Sequence, residues 1–87
     1  MYHVVFSEEA LKQLKKMDKH VASLIIGWVR KNLENCTDPR VHGKPLVANR
    51  SGQWRYCVGD YRLICEIQDE VVKILVLSIG HRRDVYK

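Results

Sequence analysis

The stretch Trp54-Arg55-Tyr56-Cys57-Val58-Gly59-Asp60-Tyr61-Arg62-Leu63-Ile64-Cys65-Glu66-Ile67 decides the fold of this chain. Gly59-Asp60 is a two-residue turn signal between two runs rich in aromatic and β-branched residues, the pattern of a β-hairpin. With that turn as the loop, Val58 stands opposite Tyr61, Cys57 opposite Arg62 and Arg55 opposite Ile64. Period-two alternation then sorts the hairpin onto two faces. Trp54, Tyr56, Val58, Tyr61, Leu63, Cys65 and Ile67 share an apolar face that must be buried, while Arg55, Cys57, Arg62, Ile64 and Glu66 share the other.

Toward the C-terminus, a second turn at Asp69-Glu70 brings residues 71–79 back antiparallel. This register sets Lys73 opposite Glu66, a cross-strand charge pair. It also puts Leu75, Leu77 and Ile79 on the face of Arg55 and Arg62. A sheet face open only to water has no need of three large aliphatic side chains, so the chain's own ends or a partner is expected to cover them. Toward the N-terminus, residues 2–6 read as a strand, and Ser7 follows as an N-cap with Glu8 and Glu9 in the first turn. Ala10, Leu11, Leu14 and Met17 form one helical stripe, and Val21, Leu24, Ile25, Trp28, Val29 and Leu33 form a second. The expected fold is α+β in the order β-α-α-β-β-β, with two N-terminal helices packed on one face of an antiparallel-rich sheet.

Eighty-seven residues are expected to form a single domain, 1–87, since no second core can be built from the remainder. The chain is 46% hydrophobic and 29% charged, the balance of a folded protein rather than a disordered one. Its formal charge of +5 favours an anionic partner, nucleic acid being the commonest. Cys36, Cys57 and Cys65 have neither disulfide-framework nor zinc-ligand spacing, which points to a reducing cytoplasm. The N-terminus turns polar at Ser7 with no signal-peptide pattern, and no apolar run is long enough to span a bilayer, so no membrane association is expected. Between Cys36 and Gly52 the chain is rich in Pro, Gly and Asn, and basic through Arg40, His42, Lys44 and Arg50. A loop of this length in a small domain is more often functional than not. His42 could touch phosphate there, although a solvated loop histidine is the simpler reading.

Gly80 ends the last strand, and His81, Arg82, Arg83 and Tyr86 follow at once. Hairpin register brings Arg62 to the same end of the sheet. The result is a phosphate-sized concentration of bidentate donors. Such a cluster suits metal-free RNA cleavage, in which the 2′-hydroxyl attacks the adjoining phosphorus. That reaction needs cations for the crowded phosphate and groups that move protons. Arginine supplies the first, His81 could carry a proton, and Tyr86 could donate one or stack on a base. Spacing alone leaves open an arginine cluster that only binds phosphate. No residue pattern calls for a cofactor or a metal.

Three strings resemble the RelE-type toxins. They are Asp38-Pro39-Arg40-Val41-His42-Gly43-Lys44-Pro45-Leu46, then Trp54 to Ile64, and the tail Ile74-Leu75-Val76-Leu77-Ser78-Ile79-Gly80-His81-Arg82-Arg83-Asp84-Val85-Tyr86. The resemblance implies the toxin half of a type II toxin–antitoxin pair that enters the ribosomal A site and cleaves messenger RNA without metal. It assigns Arg62 and Arg82 to the scissile phosphate and Tyr86 to stacking on or orienting the substrate nucleotide. Arg55 then stands where a basic residue is usual, and His81 becomes the candidate proton carrier. Lys44, Arg50 and Arg83 join Arg55 as expected contacts to RNA and ribosome. Leu75, Leu77 and Ile79 become the expected seat of a cognate acidic antitoxin, through which operator DNA would be reached. One departure concerns Cys57, at a position that is commonly basic in these toxins. Two alternatives remain open: a ParE-like toxin directed at gyrase, and a non-catalytic relative that only binds antitoxin.

Overall fold

A computed structural model describes residues 1–46 and 53–85, with side chains as far as Arg83. In chain order the elements are β1 (His3–Phe6), α1 (Glu8–Lys16), α2 (Lys19–Asn32), β2 (Lys44–Pro45), β3 (Gln53–Val58), β4 (Tyr61–Gln68), β5 (Lys73–His81) and a short α3 (Arg82–Val85). The strands form one sheet in the order β1-β5-β4-β3-β2, in which β1 runs parallel to β5 and every other pairing is antiparallel. The expected β-α-α-β-β-β order holds, with the two-residue β2 and the single turn of α3 added to it.

Both helices start where side chains can satisfy their first amides. Ser7 Oγ accepts from the Ala10 amide at 3.0 Å, and Glu8 and Glu9 occupy the positive end of α1. Asp18 caps α2 by accepting from the amides of His20 and Val21. Ala10, Leu14, Ile25, Val29 and Leu33 turn inward onto Tyr56, Leu63, Cys65, Ile74, Val76 and Ile79 of the sheet. The apolar hairpin face is therefore the buried one. Leu11 and Leu24, which share the helical stripes, instead remain 46% and 58% exposed.

The β3–β4 register is the one the turn dictates, with Cys57 opposite Arg62 and Arg55 opposite Ile64. The β4–β5 register differs. Asp69-Glu70 is not a two-residue turn but part of a 3₁₀ turn, Asp69–Val71, followed by Val72 at φ +54. This four-residue connection moves Lys73 from Glu66 to Gln68 and sets Leu75 opposite Glu66. Further on, Cys65 pairs with Val76 but Ile64 pairs with Ser78, so Leu77 is an extra residue in β5. A bulge reverses the alternation beyond it. Ile79 is consequently 2% exposed and lies in the core beside Leu63, not on the outer face with Leu75 and Leu77.

The described part of the long loop is tied down rather than solvated throughout. Tyr56 Oη donates to the buried Pro39 carbonyl at 2.5 Å, and Trp54 Nε1 donates to the His42 carbonyl at 2.6 Å. Arg40 grips Asp69 through both terminal nitrogens, at 3.1 and 3.0 Å, and Tyr2 Oη donates to the same carboxylate. Replacing Tyr56 by Phe removes the only part of that side chain with polar reach and strands a buried carbonyl. It is expected to cost about 1–3 kcal/mol in urea unfolding. The Arg40 and Tyr2 hydrogen bonds hold the Asp69 carboxyl below the usual carboxylate range. A lowered native pKa contributes stability that is complete above the unfolded value, near about 3.9, and is lost as pH falls through the native one. The stability gap between the wild type and Asp69→Asn, followed by urea midpoints against pH, should close on acidification from pH 5 to the lowest pH at which both fold.

Candidate phosphate-binding site

The two turn residues Gly59 and Asp60, with Tyr61 at the start of β4, organise the site end of the sheet. Arg62, at the start of β4, reaches back so that its guanidinium donates to the carbonyls of Gly59 and Tyr61, both at 3.0 Å. The Asp60 carbonyl accepts from the Arg82 amide at 2.8 Å, and its carboxylate lies 3.8 Å from Arg82 Nε. Tyr61 pairs with His81 in register and meets its imidazole edge to face, with ring centroids 5.4 Å apart. The turn thus brings Arg62, His81 and Arg82 to one end of the sheet, with His81 on the Tyr61 face and Arg62 on the opposite one, although the two arginines are 20 positions apart in sequence.

Register describes the rest of the outer face as cross-strand rows. One row runs Gly80, Arg62, Cys57, and the next runs Ser78, Ile64, Arg55, Lys44. Gly80, which stands opposite Arg62, has no side chain to set beside it. Cys57 is exposed and lies directly opposite Arg62, which puts a thiol where the resemblance leads one to expect a cation. Arg55 and Arg62 are half-buried, whereas Lys44, Arg82 and Arg83 are exposed.

His81 is placed with its ring orientation set. The Arg83 amide points at His81 Nδ1 from 3.3 Å, and an N–H can donate only to an unprotonated ring nitrogen. A neutral ring that accepts this bond carries its proton on Nε2. Arg50 and Tyr86 lie outside the described residues. Of the expected antitoxin contacts, Leu75 and Leu77 are half-buried beside Val5, which pairs with Leu75 and is 41% exposed; Ile79 belongs to the core. Asp60 and Tyr61 escaped the reading of the sequence as anything but turn and core. The correct β4–β5 register, which sets Tyr61 against His81, would have exposed their role.

Asp60 engages Arg82 from the Nε side, leaving the two terminal nitrogens to act as a fork. Both partners are more than half exposed, so the pair contributes less than about 1 kcal/mol to stability. Asp60→Ala should leave the urea midpoint nearly unchanged while the Arg82 Nε–H resonance loses its distinct shift. An unchanged resonance would show that the carboxylate does not orient the arginine.

Comparison with known proteins bears on the family and the fold. The family model described as the ParE toxin of type II toxin–antitoxin systems matches residues 4–86. The toxin RelG of Mycobacterium tuberculosis is 29% identical over 86 residues, which cover 99% of this chain and 97% of that protein. The toxin RelE of the same organism is 28% identical, covering 99% and 87% respectively. Among solved structures, the RelBE2 toxin–antitoxin complex of M. tuberculosis superposes with a TM-score of 0.82 at 28% identity, over 93% of this chain and 98% of that one. The isolated Escherichia coli RelE toxin gives 0.72 at 26% identity, over 99% and 92%. With a family match across nearly its whole length and RelE-like architecture throughout, this chain belongs to the ParE toxin family of type II toxin–antitoxin systems, within the RelE/ParE superfamily.

Proposed function

We propose that this toxin is a ribosome-dependent endoribonuclease that cuts messenger RNA in the A site by attack of the 2′-hydroxyl on the adjoining phosphate. The observation that carries the reading is the register Arg62 opposite Gly80, which brings the Arg62 and Arg82 ends of the chain to one place. Two guanidinium groups at one end of the sheet suit a phosphate that gains charge as a fifth oxygen approaches phosphorus. His81, at the same end of the sheet, serves proton transfer. Tyr86 stacks on or orients the nucleotide. Lys44, Arg50, Arg55 and Arg83 steer the polyanionic ribosome and message onto this face, as a net charge of +5 favours. No metal or cofactor enters these steps.

The antitoxin in this reading is an acidic chain that covers the outer apolar surface of Leu75, Leu77 and Val5. Support comes from the M. tuberculosis RelBE2 structure, a toxin–antitoxin complex of the same fold. Operator DNA is reached through that antitoxin, and the toxin acts in the cytoplasm. Among the described residues no helix is long and apolar enough to cross a membrane. The ParE description of the matching family favours a second reading, poisoning of gyrase, which has no use for paired phosphate-holding arginines.

Cell-free translation with primer extension on the message tests the proposal. The wild type should leave new 5′ ends confined to translated codons. Arg62→Ala and Arg82→Ala should each reduce cutting by at least about a hundredfold, the scale expected when one preorganised charge contact to a transition state is removed. Both variants should keep their fold. An intact message with the wild type, together with loss of gyrase supercoiling, would replace the nuclease with the second reading.

A further inference from the structure

A groove of about 570 Å³ opens beside β3 where the two-residue β2 ends, and its walls include Trp28, His42, Lys44, Arg55, Cys57 and Arg62. His42 is exposed there, yet it does not belong to a freely swinging loop. Its carbonyl accepts from Trp54 Nε1 at 2.6 Å, and its ring stands edge-on to Trp28 with centroids 5.7 Å apart. The next residue, Gly43, has φ +77, and a Cβ there would stand 2.2 Å from the Arg55 carbonyl. Only glycine lets the loop lie this close to β3. Arg40 sits over the Trp54 ring, 5.9 Å from its centroid, and completes the support of the anchoring indole.

The wall chemistry is specific. Two aromatic rings stand beside Lys44 and Arg55, which are cross-strand partners, with Arg62 on the adjoining row. Among the described residues, no carboxylate lines the groove. A surface for phosphate alone has no use for the rings, and a groove for an apolar peptide has no use for three cations. Aromatic planes set among basic side chains are the means by which proteins hold unpaired nucleotides, the ring taking the base and the cations the backbone.

We propose that this groove is a nucleobase subsite. The base of a nucleotide flanking the scissile phosphate stacks on His42, with Trp28 behind it, while Lys44 and Arg55 hold that nucleotide's own phosphate. The proposal rests on the nuclease reading for the location of the scissile phosphate. It adds a substrate contact made through a base rather than through charge.

The test uses a short single-stranded 2′-O-methyl RNA, which cannot be cut, with NMR titration of the His42 ring and the Trp28 indole N–H. Both signals should shift on binding. His42→Ala should bind about tenfold more weakly, the scale of one lost base–aromatic stack, and His42→Phe should recover most of the loss. An oligonucleotide with one abasic position should bind the wild type about tenfold more weakly and His42→Ala no more weakly than the intact strand does. Equal affinity of wild type and His42→Ala, or of intact and abasic strands, would overturn the subsite. Because this experiment needs neither ribosome nor cleavage, its outcome is separate from that of the nuclease test: a protein that shows the His42 effect but leaves messages uncut keeps the subsite and loses the nuclease.

Discussion

One additional residue in β5 governs how the two ends of this chain meet. With Leu77 unmatched in the ladder, the strand resumes its pairing with β4 half a repeat later. Ile79 then turns to the helices, and Gly80 and His81 come level with Arg62 and Tyr61. A bulge releases backbone groups from their usual partners, and here α1 takes them up. Ser7 Oγ donates to the Leu77 carbonyl at 2.7 Å while capping its own helix, and Gln13 Oε1 accepts from the Ile79 amide at 2.5 Å. The distortion is thus satisfied by two side chains from the first fifth of the sequence. A regular β5 would leave those two side chains without these partners and would turn Ile79 out to the surface.

Much of this was legible in the residues. The Gly59-Asp60 turn set the β3–β4 register correctly, since two-residue loops admit few geometries and the alternation on both sides agreed with it. The Ser7 cap and the two helices were equally plain. Hairpin closure at Asp69-Glu70 was not, because its four-residue connection depends on Val72 adopting a left-handed conformation that β-branched residues rarely take. Nothing in the alternation of residues 73–79 announces a bulge either, as Leu75, Leu77 and Ile79 keep a perfect period of two through the point where the structure breaks it. The register error of two left the faces of Leu75 unchanged; the bulge, a shift of one, moved Ile79 to the other side.

The site shows the same division. Arg62, His81 and Arg82 could be brought together from sequence because both registers, the expected and the observed, lead β5 past the start of β4. What holds them was hidden, since it consists of backbone carbonyls, one turn carboxylate and one ring edge. His42 was hidden for a related reason. A histidine in a loop of Pro, Gly and Asn reads as solvated until the tryptophan that holds its carbonyl and the glycine that admits it to β3 are seen in place.

The parallel pairing of β1 with β5 sets His3 against Lys73 and Phe6 against Val76. Contacts across that much chain form late, because the intervening loop must be closed before they stabilise anything. During synthesis, the first strand and the first helix must wait for their sheet partner until the last strand has left the exit tunnel. The groups that bring Arg82 beside Arg62 are therefore assembled only after translation of β5 is over.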